Sequence, residues 1–371
     1  MEALATEYAK TNEVRVFSAW DTHRSWRGDR LADLRAGVSV YRYPLVPLFR
    51  RQPHFRSVVP PNPAAGIRLS RDLKAWSPDV AHVHGYGYAM VDFASAILVR
   101  RKVPYIFTVH GVPQTPSRRR TPTRAAYAAY RRIGPLRTIA RAYAVTAISR
   151  AVAEGLPADR KVTVVPNGIT PLPGPDDRRA AELSQRLDLD PGVPMIAAAG
   201  RLSWSKGFDV LLRALSNVEI PRLACVIAGS DAGELSDLRH IAAGMPSGIK
   251  VCLPGWLDRE GLSDLFRLAT VVAVPSRDEP FGLVALEALG MGRRVVASRI
   301  GGLAEFLLSP VAELVDSEDP RLWASALKTA LMRGPLTGEE ERTVDQILVE
   351  HSWPHLAQQY EDLMINSRSG S

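Results

Sequence analysis

Residues Val271–Gly302, VVAVPSRDEPFGLVALEALGMGRRVVASRIGG, alternate apolar runs with proline- and glycine-containing turns. The apolar run Val271–Val274 ends at a Pro-Ser pair, and Pro280 marks the turn into a helical segment. A second apolar run, Val295–Ala297, follows the glycines that end this segment. A strand, a loop, a helix and a second strand in this order form the unit of a parallel sheet. The stretch therefore predicts an α/β fold.

The helix in this stretch is predicted to bury three leucines, Leu283, Leu286 and Leu289. Glu279 lies in the preceding loop, where Pro280 favours an extended backbone, and Glu287 lies on the helix itself. Eight helical residues would separate these two carboxylates by about 12 Å, close to the span from a sugar ring across a diphosphate to a ribose. The amides of Phe281 and Gly282 lie at the helix N-terminus, which suits phosphate.

Both carboxylates also have a simpler interpretation. Glu279 would be an acidic partner of the helix dipole, and Glu287 would be an ordinary exposed helix residue. Short motifs match by chance, so the functional interpretation depends on agreement with other segments of the chain.

The stretch closely resembles the E-x7-E signature of retaining glycosyltransferases with the GT-B fold. The resemblance implies two doubly wound Rossmann-like α/β domains with a cleft between them. It implies that Glu287 binds the ribose hydroxyls of a nucleotide-sugar donor, while Glu279 binds the sugar hydroxyls and acts as a catalytic residue. Phe281, Gly282 and Leu283 would complete this side of the donor site.

Length and composition fit a two-domain globular protein. The chain has 371 residues, of which 46% are hydrophobic and 23% are charged. Its two cysteines, Cys225 and Cys252, lie inside apolar runs and are predicted to be buried thiols rather than a disulfide or a metal site, which fits a reducing cytosol. There is no run of 18 apolar residues and no basic-then-apolar N-terminus, so we expect a cytoplasmic protein.

Charge is distributed unevenly along the chain. Residues 1–170 contain 27 Lys+Arg and 11 Asp+Glu, whereas the rest contains 47 − 27 = 20 basic and 39 − 11 = 28 acidic residues. Residues 94–153 contain twelve basic residues and no acidic one. An asymmetry of this size indicates separate domains, the first of which faces an anionic partner.

Strands and helices alternate in both halves of the chain, as in parallel α/β domains. Residues 1–168 are predicted to form an N-terminal Rossmann-like domain on the acceptor side. Residues 169–350 are predicted to form a C-terminal Rossmann-like domain that binds the nucleotide-sugar donor. Residues 351–371 resemble the closing helix of the family, which crosses back to the N-terminal domain.

The segment GRLSWSKGFDVLLRAL begins at Gly200, directly after the predicted strand Met195–Ala199. Its helical part has one apolar face, formed by Phe208, Leu211, Leu212 and Leu215. Arg201 and Lys206 lie in the loop before this helix, where two cations can bind a diphosphate without a metal and stabilise its charge as it leaves. The pattern also matches the diphosphate-binding motif of the family, although a pair of solvated surface cations is the simpler alternative.

Three histidines end neighbouring predicted strands of the first half. His110 ends one strand, and the matching histidine of the family contacts the transferred sugar and the reacting centre. His84, followed by Gly85, ends another strand, and these two residues are candidates for the acceptor side. His82 lies two residues before His84 and is predicted to belong to the core. A half-buried structural histidine is the alternative for His110.

No metal or cofactor is predicted. The chain lacks HExxH, CxxC and the Asp-x-Asp pattern of metal-dependent glycosyltransferases. The donor, a UDP- or GDP-sugar, would be a co-substrate.

The chain departs from the family at its start, where a strand and a glycine-rich loop usually precede the first helix. That strand is central in a doubly wound sheet, and its neighbours would be left with unpaired backbone groups. We therefore expect the natural protein to begin upstream of Met1.

The resulting hypothesis is a metal-independent, retaining hexosyltransferase that moves a sugar from a nucleoside-diphosphate sugar to an acceptor hydroxyl. The acceptor is a glycan, a lipid-linked molecule or a small molecule. The alternatives are a GT-B nucleotide-sugar epimerase and a degenerate, non-catalytic GT-B partner protein. Neither the base and the sugar of the donor nor the oligomeric state follows from the sequence.

The acid-free segment 94–153 supports a second hypothesis, contact with an anionic membrane on its cytoplasmic face. Its arginines crowd around two tyrosines, Tyr127 and Tyr130; they are Arg118, Arg119, Arg120, Arg124, Arg131 and Arg132. A merely solvated basic surface is the alternative, and nucleic acid is not an expected partner because no nucleic-acid motif accompanies the charge.

Overall fold

The computed structural model of the chain describes residues 2–20, 33–35, 37–44, 63–112, 134–174 and 176–369. Contacts divide the chain into two units. Unit 1 comprises Met1–Gly168 together with Trp353–Ser371, and unit 2 comprises Ile169–Ser352.

Unit 1 has two sheets among its described residues. The first contains β1 (Arg15–Trp20), β2 (Asp33–Arg35) and β3 (Val38–Pro44), with β3 in the middle, parallel to β1 and antiparallel to β2. The second contains the parallel strands β4 (Ala81–His84), β5 (Tyr105–Val109), β6 (Ala144–Ala147) and β7 (Val162–Val164), in that order. No hydrogen-bonded pairing joins β1 to β4 among these residues.

Five helices of unit 1 precede unit 2 in the described part of the chain. They are α1 (Glu2–Tyr8), α2 (Pro63–Trp76), α3 (Ala89–Arg100), α4 (134–141) and α5 (Arg150–Glu154). Ser149 is the N-cap residue directly before α5, and its side chain accepts a hydrogen bond from the Val152 amide, which satisfies one of the unpaired donors at the helix start.

Unit 2 is built on one parallel sheet. Its strands are β8 (Met195–Ala199), β9 (Leu223–Ala228), β10 (Ile249–Gly255), β11 (Val271–Val274), β12 (Arg294–Ser298) and β13 (Ala312–Val315). They lie in the order β10-β9-β8-β11-β12-β13. The strand order reverses between β8 and β11, and parallel α/β sheets bind ligands beyond the carboxyl ends of strands at such a point.

Helices cover this sheet. They are α6 (Asp177–Arg186), α7 (Phe208–Leu215), α8 (Leu235–Ala243), α9 (Arg259–Leu268), α10 (Leu283–Gly290), α11 (Leu303–Phe306), α12 (Pro320–Arg333) and α13 (Glu339–Glu350). All four residues of β11 are buried, and so is the predicted apolar face of α7. The helical periodicity read from that segment is therefore confirmed.

The last helix, α14 (Trp353–Ser369), belongs to unit 1 although it follows unit 2 in the chain. It packs against α1 and the end of β7 in a small apolar cluster of Leu4, Val165, Leu356, Ala357 and Tyr360. Burial of these side chains holds the two ends of the chain together within unit 1.

Two expectations about burial were wrong in part. Leu286 and Leu289 are buried as predicted, but Leu283 is 43% exposed because it lies in the first turn of α10, off the buried face of this short helix. Both cysteines are free thiols, yet only Cys225 is buried, whereas Cys252 is half-buried.

Part of the basic segment lies outside the described residues. Residues 113–133, which include all the clustered arginines and both tyrosines named above, belong to this part. No helix among the described residues is long and apolar enough to cross a membrane.

Candidate functional site

The loop after β8 brings two cations to the carboxyl end of the sheet. Arg201 is exposed, and Lys206 ends a single 3₁₀ turn, Trp204–Lys206. Gly207 then adopts a left-handed conformation (φ 62°), and a Cβ atom there would lie 1.9 Å from the Pro275 carbonyl oxygen. The close contact between the β8 and β11 loops therefore requires glycine at this position.

Lys206 and Glu279 meet in an ion pair. The Lys206 Nζ lies 2.5 Å from the Glu279 Oε2, and the Ser276 hydroxyl donates to the same oxygen at 3.1 Å. The lysine and glutamate side chains are only 20% and 12% exposed, so water screens this pair less than it screens a surface pair. Two residues predicted separately to bind diphosphate and sugar are thus in direct contact.

Arg201 differs from Lys206 in its surroundings. Its guanidinium has no ion-pair partner in the part of the chain that the structure describes. A cation without an acidic partner, next to a paired one in the same loop, can bind an anionic group without first giving up an ion pair.

Glu287 is held by an arginine that the sequence did not single out. Arg259, at the start of α9, donates to the Glu287 carboxylate at 3.4 Å and to the Thr170 and Pro171 carbonyls at 2.8 and 3.0 Å. Burial raises the pKa of Glu287, and the positive charge of Arg259 opposes that rise. The Glu287 side chain is 15% exposed.

The N-terminus of α10 lies between the two glutamates. Gly282 precedes the helix with φ 112°, where an added Cβ atom would lie 2.4 Å from a Leu303 methyl group. The Phe281 ring is buried and stacks on the Phe306 ring at a centroid distance of 5.3 Å. The first amides of α10 have no acceptor within the helix, as at every helix start.

The expectation of eight helical residues between Glu279 and Glu287 was wrong. The helix begins at Leu283, because Gly282 adopts a left-handed conformation and residues 279–282 form a loop. The predicted separation of about 12 Å therefore does not apply, since it assumed the rise of an α-helix throughout.

In unit 1, histidines cluster at the ends of β4 and β5. The His84 Nδ1 and the His110 Nε2 lie 3.0 Å apart, so one ring donates to the other. The His82 ring bonds the Tyr8 hydroxyl at 3.1 Å and the Thr108 hydroxyl at 2.6 Å. His82 thus has partners on both ring nitrogens and is a structural residue, whereas His84 and His110 bond each other.

All three histidines are held in the neutral form. Burial lowers the pKa of His82 to about 3 and that of His110 to about 4, and it holds the pKa of His84 well below the usual value. Gly85 follows His84 with φ 102° and donates its amide to the Thr108 carbonyl at 3.0 Å. Neutral imidazoles both donate and accept hydrogen bonds, which suits hydroxyl groups.

Within the described residues, no three His, Cys, Asp or Glu side chains are arranged to hold a metal ion. Trp256 directly follows β10, and its side chain is 71% exposed. The structure also adds Arg277, an arginine two residues before Glu279 that contacts Asp209 and Ser205. Arg259 and Arg277 gave no signal in the sequence, because their partners are distant along the chain.

Two family profiles cover most of the chain. The glycosyl transferases group 1 profile matches residues 180–343, and the glycosyltransferase family 4 profile matches residues 1–171. The D-inositol 3-phosphate glycosyltransferase of Xylanimonas cellulosilytica is 35% identical over 271 residues, or 68% of this chain and 63% of that protein. The enzyme of the same name from Jonesia denitrificans is 30% identical over 76% of this chain and 71% of its own length. The match thus spans less than two thirds of the length of the Xylanimonas cellulosilytica enzyme.

Solved structures share the fold at lower identity. Sucrose-phosphate synthase from Thermosynechococcus elongatus has a TM-score of 0.72 and 20% identity, over 100% of this chain and 92% of that one. Anabaena HepE, solved in complex with UDP-glucose, has a TM-score of 0.65 and 18% identity, over 91% of this chain and 87% of that one. With these matches, the predicted two-domain GT-B fold is confirmed, and the chain belongs to the glycosyl transferases group 1 family.

Proposed function

We propose that this protein is a retaining glycosyltransferase that takes a hexose-type sugar from a nucleoside-diphosphate sugar without a metal ion. The observation that supports it best is the contact between Lys206 and Glu279 in the same region as Arg201, which has no acidic partner among the described residues. A nucleotide-sugar donor contains a diphosphate and a sugar. Two cations, Arg201 and Lys206, suit the diphosphate, and the Glu279 carboxylate at the same edge of the sheet suits the sugar hydroxyls.

Each residue has a proposed role. Arg201 and Lys206 bind the diphosphate and stabilise its charge as it leaves, with help from the first amides of α10. Glu279 binds the hydroxyls of the sugar, and Glu287 binds those of the ribose. His110, held neutral, hydrogen-bonds the transferred sugar, and His84 and Gly85 stay candidates for the acceptor side.

The family resemblance implies a front-face displacement. In that mechanism the leaving phosphate helps to deprotonate the acceptor hydroxyl, so that no protein side chain acts as a covalent nucleophile. UDP-glucose is a sensible first donor because HepE was solved with it. D-inositol 3-phosphate is a sensible first acceptor because relatives carry its name, and its anionic phosphate suits the positive charge of residues 1–170.

The test is sugar transfer from UDP- and GDP-sugars to a panel of phosphorylated polyols and glycans, in the presence of EDTA. We expect transfer with retention of the anomeric configuration. Interconversion of donor sugars without transfer would favour the epimerase, and donor binding without turnover on any acceptor would favour the non-catalytic partner.

We further propose that unit 1 contacts an anionic membrane from the cytoplasmic side. Exposed cations at Arg100, Lys102, Arg137 and Arg141 belong to the acid-free segment 94–153. Such a surface is attracted to anionic lipid and released by salt. Co-sedimentation should increase with the fraction of anionic lipid at low salt, and equal binding to neutral and anionic vesicles would contradict the proposal.

A further inference from the structure

Arg277 is a nearly buried arginine two residues before Glu279. Its guanidinium donates to both carboxylate oxygens of Asp209, at 2.7 and 3.0 Å, and its Nε donates to Glu318 at 2.8 Å. The Arg277 side chain is only 8% exposed. A bidentate arginine–carboxylate pair fixes both the distance between the two side chains and their relative orientation, which a single hydrogen bond does not.

The same residue also holds the loop that precedes α7. Arg277 donates to the Trp204 carbonyl at 2.9 Å, and its guanidinium lies 4.9 Å from the centre of the Trp204 ring. Its backbone amide donates to the Ser205 carbonyl at 2.8 Å. Arg277 therefore contacts the two residues that directly precede Lys206.

These contacts join three segments at the carboxyl end of the sheet. One is the 3₁₀ turn that ends in Lys206, one is the first turn of α7 at Asp209, and one is the connection from β13 to α12 at Glu318. Arg277 itself belongs to the loop of Glu279. The hydrogen bonds of Asp209 and Glu318 raise the pKa of Arg277, which keeps it charged at every ordinary pH.

We propose that Arg277 is a positioning residue that holds Lys206 and Glu279 in the geometry that binds the donor. This inference rests on the function proposed above, and it assigns Arg277 no contact with the substrate. A mobile side chain loses conformational entropy when it binds a ligand, which weakens binding. If Arg277 already holds Lys206 and Glu279 in place, the donor binds without that loss.

A purely structural role is the alternative, and the chain offers a matched control for it. The Arg294 side chain is 1% exposed and forms a bidentate ion pair with Glu340, in which both hydrogen bonds are 2.9 Å long. It also donates to the Pro310 and Gly334 carbonyls. Arg294 lies at the start of β12, at the opposite end of the strands from the loops of Lys206 and Glu279.

The experiment compares Arg277→Gln with Arg294→Gln in the full chain. Unfolding by urea gives the stability of each variant, and the thermal shift with UDP, GDP or ADP gives nucleotide affinity. Both substitutions should destabilise the protein. Only Arg277→Gln should weaken nucleotide binding, by about tenfold, the factor that corresponds to 1.4 kcal/mol. Asp209→Asn removes part of the same pair and should act in the same direction if Arg277→Gln does not fold.

A double-mutant cycle separates positioning from stability. Because Arg277 acts through Lys206, adding Arg277→Gln to Lys206→Ala should weaken binding by less than about twofold, whereas independent effects would multiply. The inference about Arg277 would be overturned if Arg277→Gln or Asp209→Asn bound the nucleotide with wild-type affinity. It would also be overturned if the losses of affinity from Arg277→Gln and Lys206→Ala multiplied in the double variant. Neither result would affect the proposed function. Absence of nucleotide binding by the wild type would overturn the proposed function and this inference with it.

Discussion

The strand ends of β8 and β11 in unit 2 differ from those of β4 and β5 in unit 1 in their charge. In unit 2, Lys206 and Glu279 are ionic and paired at 2.5 Å. In unit 1, His84 and His110 bond each other at 3.0 Å, and burial lowers the pKa of both. Parallel strands determine where functional groups lie in each unit, while the loops determine which chemistry they offer. We call the strand ends with Lys206 and Glu279 the ionic edge and those with His84 and His110 the neutral edge. The ionic edge suits a diphosphate, and the neutral edge suits hydroxyl groups.

The largest expected effect concerns the ionic edge. Lys206→Ala and Glu279→Ala should each reduce sugar transfer by at least about a hundredfold, the scale for losing one group that stabilises developing charge. Steady-state kinetics on the purified variants measures this loss. Lys250→Ala is the matched control, because Lys250 pairs with Asp188 at 2.5 Å at an exposed position. Near-normal turnover in either test variant would remove that residue from the mechanism.

A smaller effect is expected at the neutral edge. His110→Ala should reduce transfer by about tenfold, as expected for a lost hydrogen bond of about 1.4 kcal/mol. Because His110 is neutral, this loss should be the same at low and high salt, whereas donor binding through Lys206 should weaken as salt rises. A loss at His110 that disappears at high salt would mean that the imidazole acts as a cation and would remove the contrast between the two edges.

The last effect is similar in size to that at His110, but it concerns stability in acid rather than sugar transfer. The pKa of His82 falls from 6.5 to about 3 on folding, so the unfolded chain binds the proton first as the pH falls. The stability from neutral His82 is complete above pH 6.5 and is lost as the pH falls toward 3, by about 1.4 kcal/mol at one unit below 6.5. Buried Glu287 has a raised pKa and acts in the opposite sense, because its contribution is complete in acid and is lost as the pH rises.

Urea unfolding at pH 7.5 and 5.5 tests this sign. The wild type should lose more stability between the two pH values than His82→Gln, which cannot titrate there. Equal losses in the two proteins would show that His82 is not held neutral by the fold.

The sequence placed Lys206 and Glu279 correctly between a strand and the next helix, because the signals for these segments are local. The strands and helices next to Lys206, Gly207 and Glu279 have a clear hydrophobic periodicity. The apolar face of α7 is buried as this periodicity predicted. The proline and glycine around Glu279 were read correctly as a loop, but the start of α10 was placed too early. A left-handed Gly282 depends on its packing against Leu303, and local sequence does not show that contact.

The supporting contacts were not predictable in the same way. Arg277 and Asp209 are 68 residues apart, and Arg259 lies 89 residues from Thr170. An arginine near a motif resembles any solvated cation until the fold brings a distant carboxylate to it. The histidine pair is an intermediate case, since two predicted strand ends held His84 and His110 but only the pairing of β4 with β5 brings them into contact.

The central claim is that the β8 and β11 loops bind a nucleoside diphosphate without a metal. Calorimetric titration of the wild type and of Lys206→Ala with UDP, GDP and ADP, in EDTA, tests it most directly. We predict that at least one nucleotide binds the wild type and that Lys206→Ala weakens this binding by tenfold or more, about 1.4 kcal/mol. Absence of binding for all three nucleotides, or equal affinity in the variant, would contradict the claim.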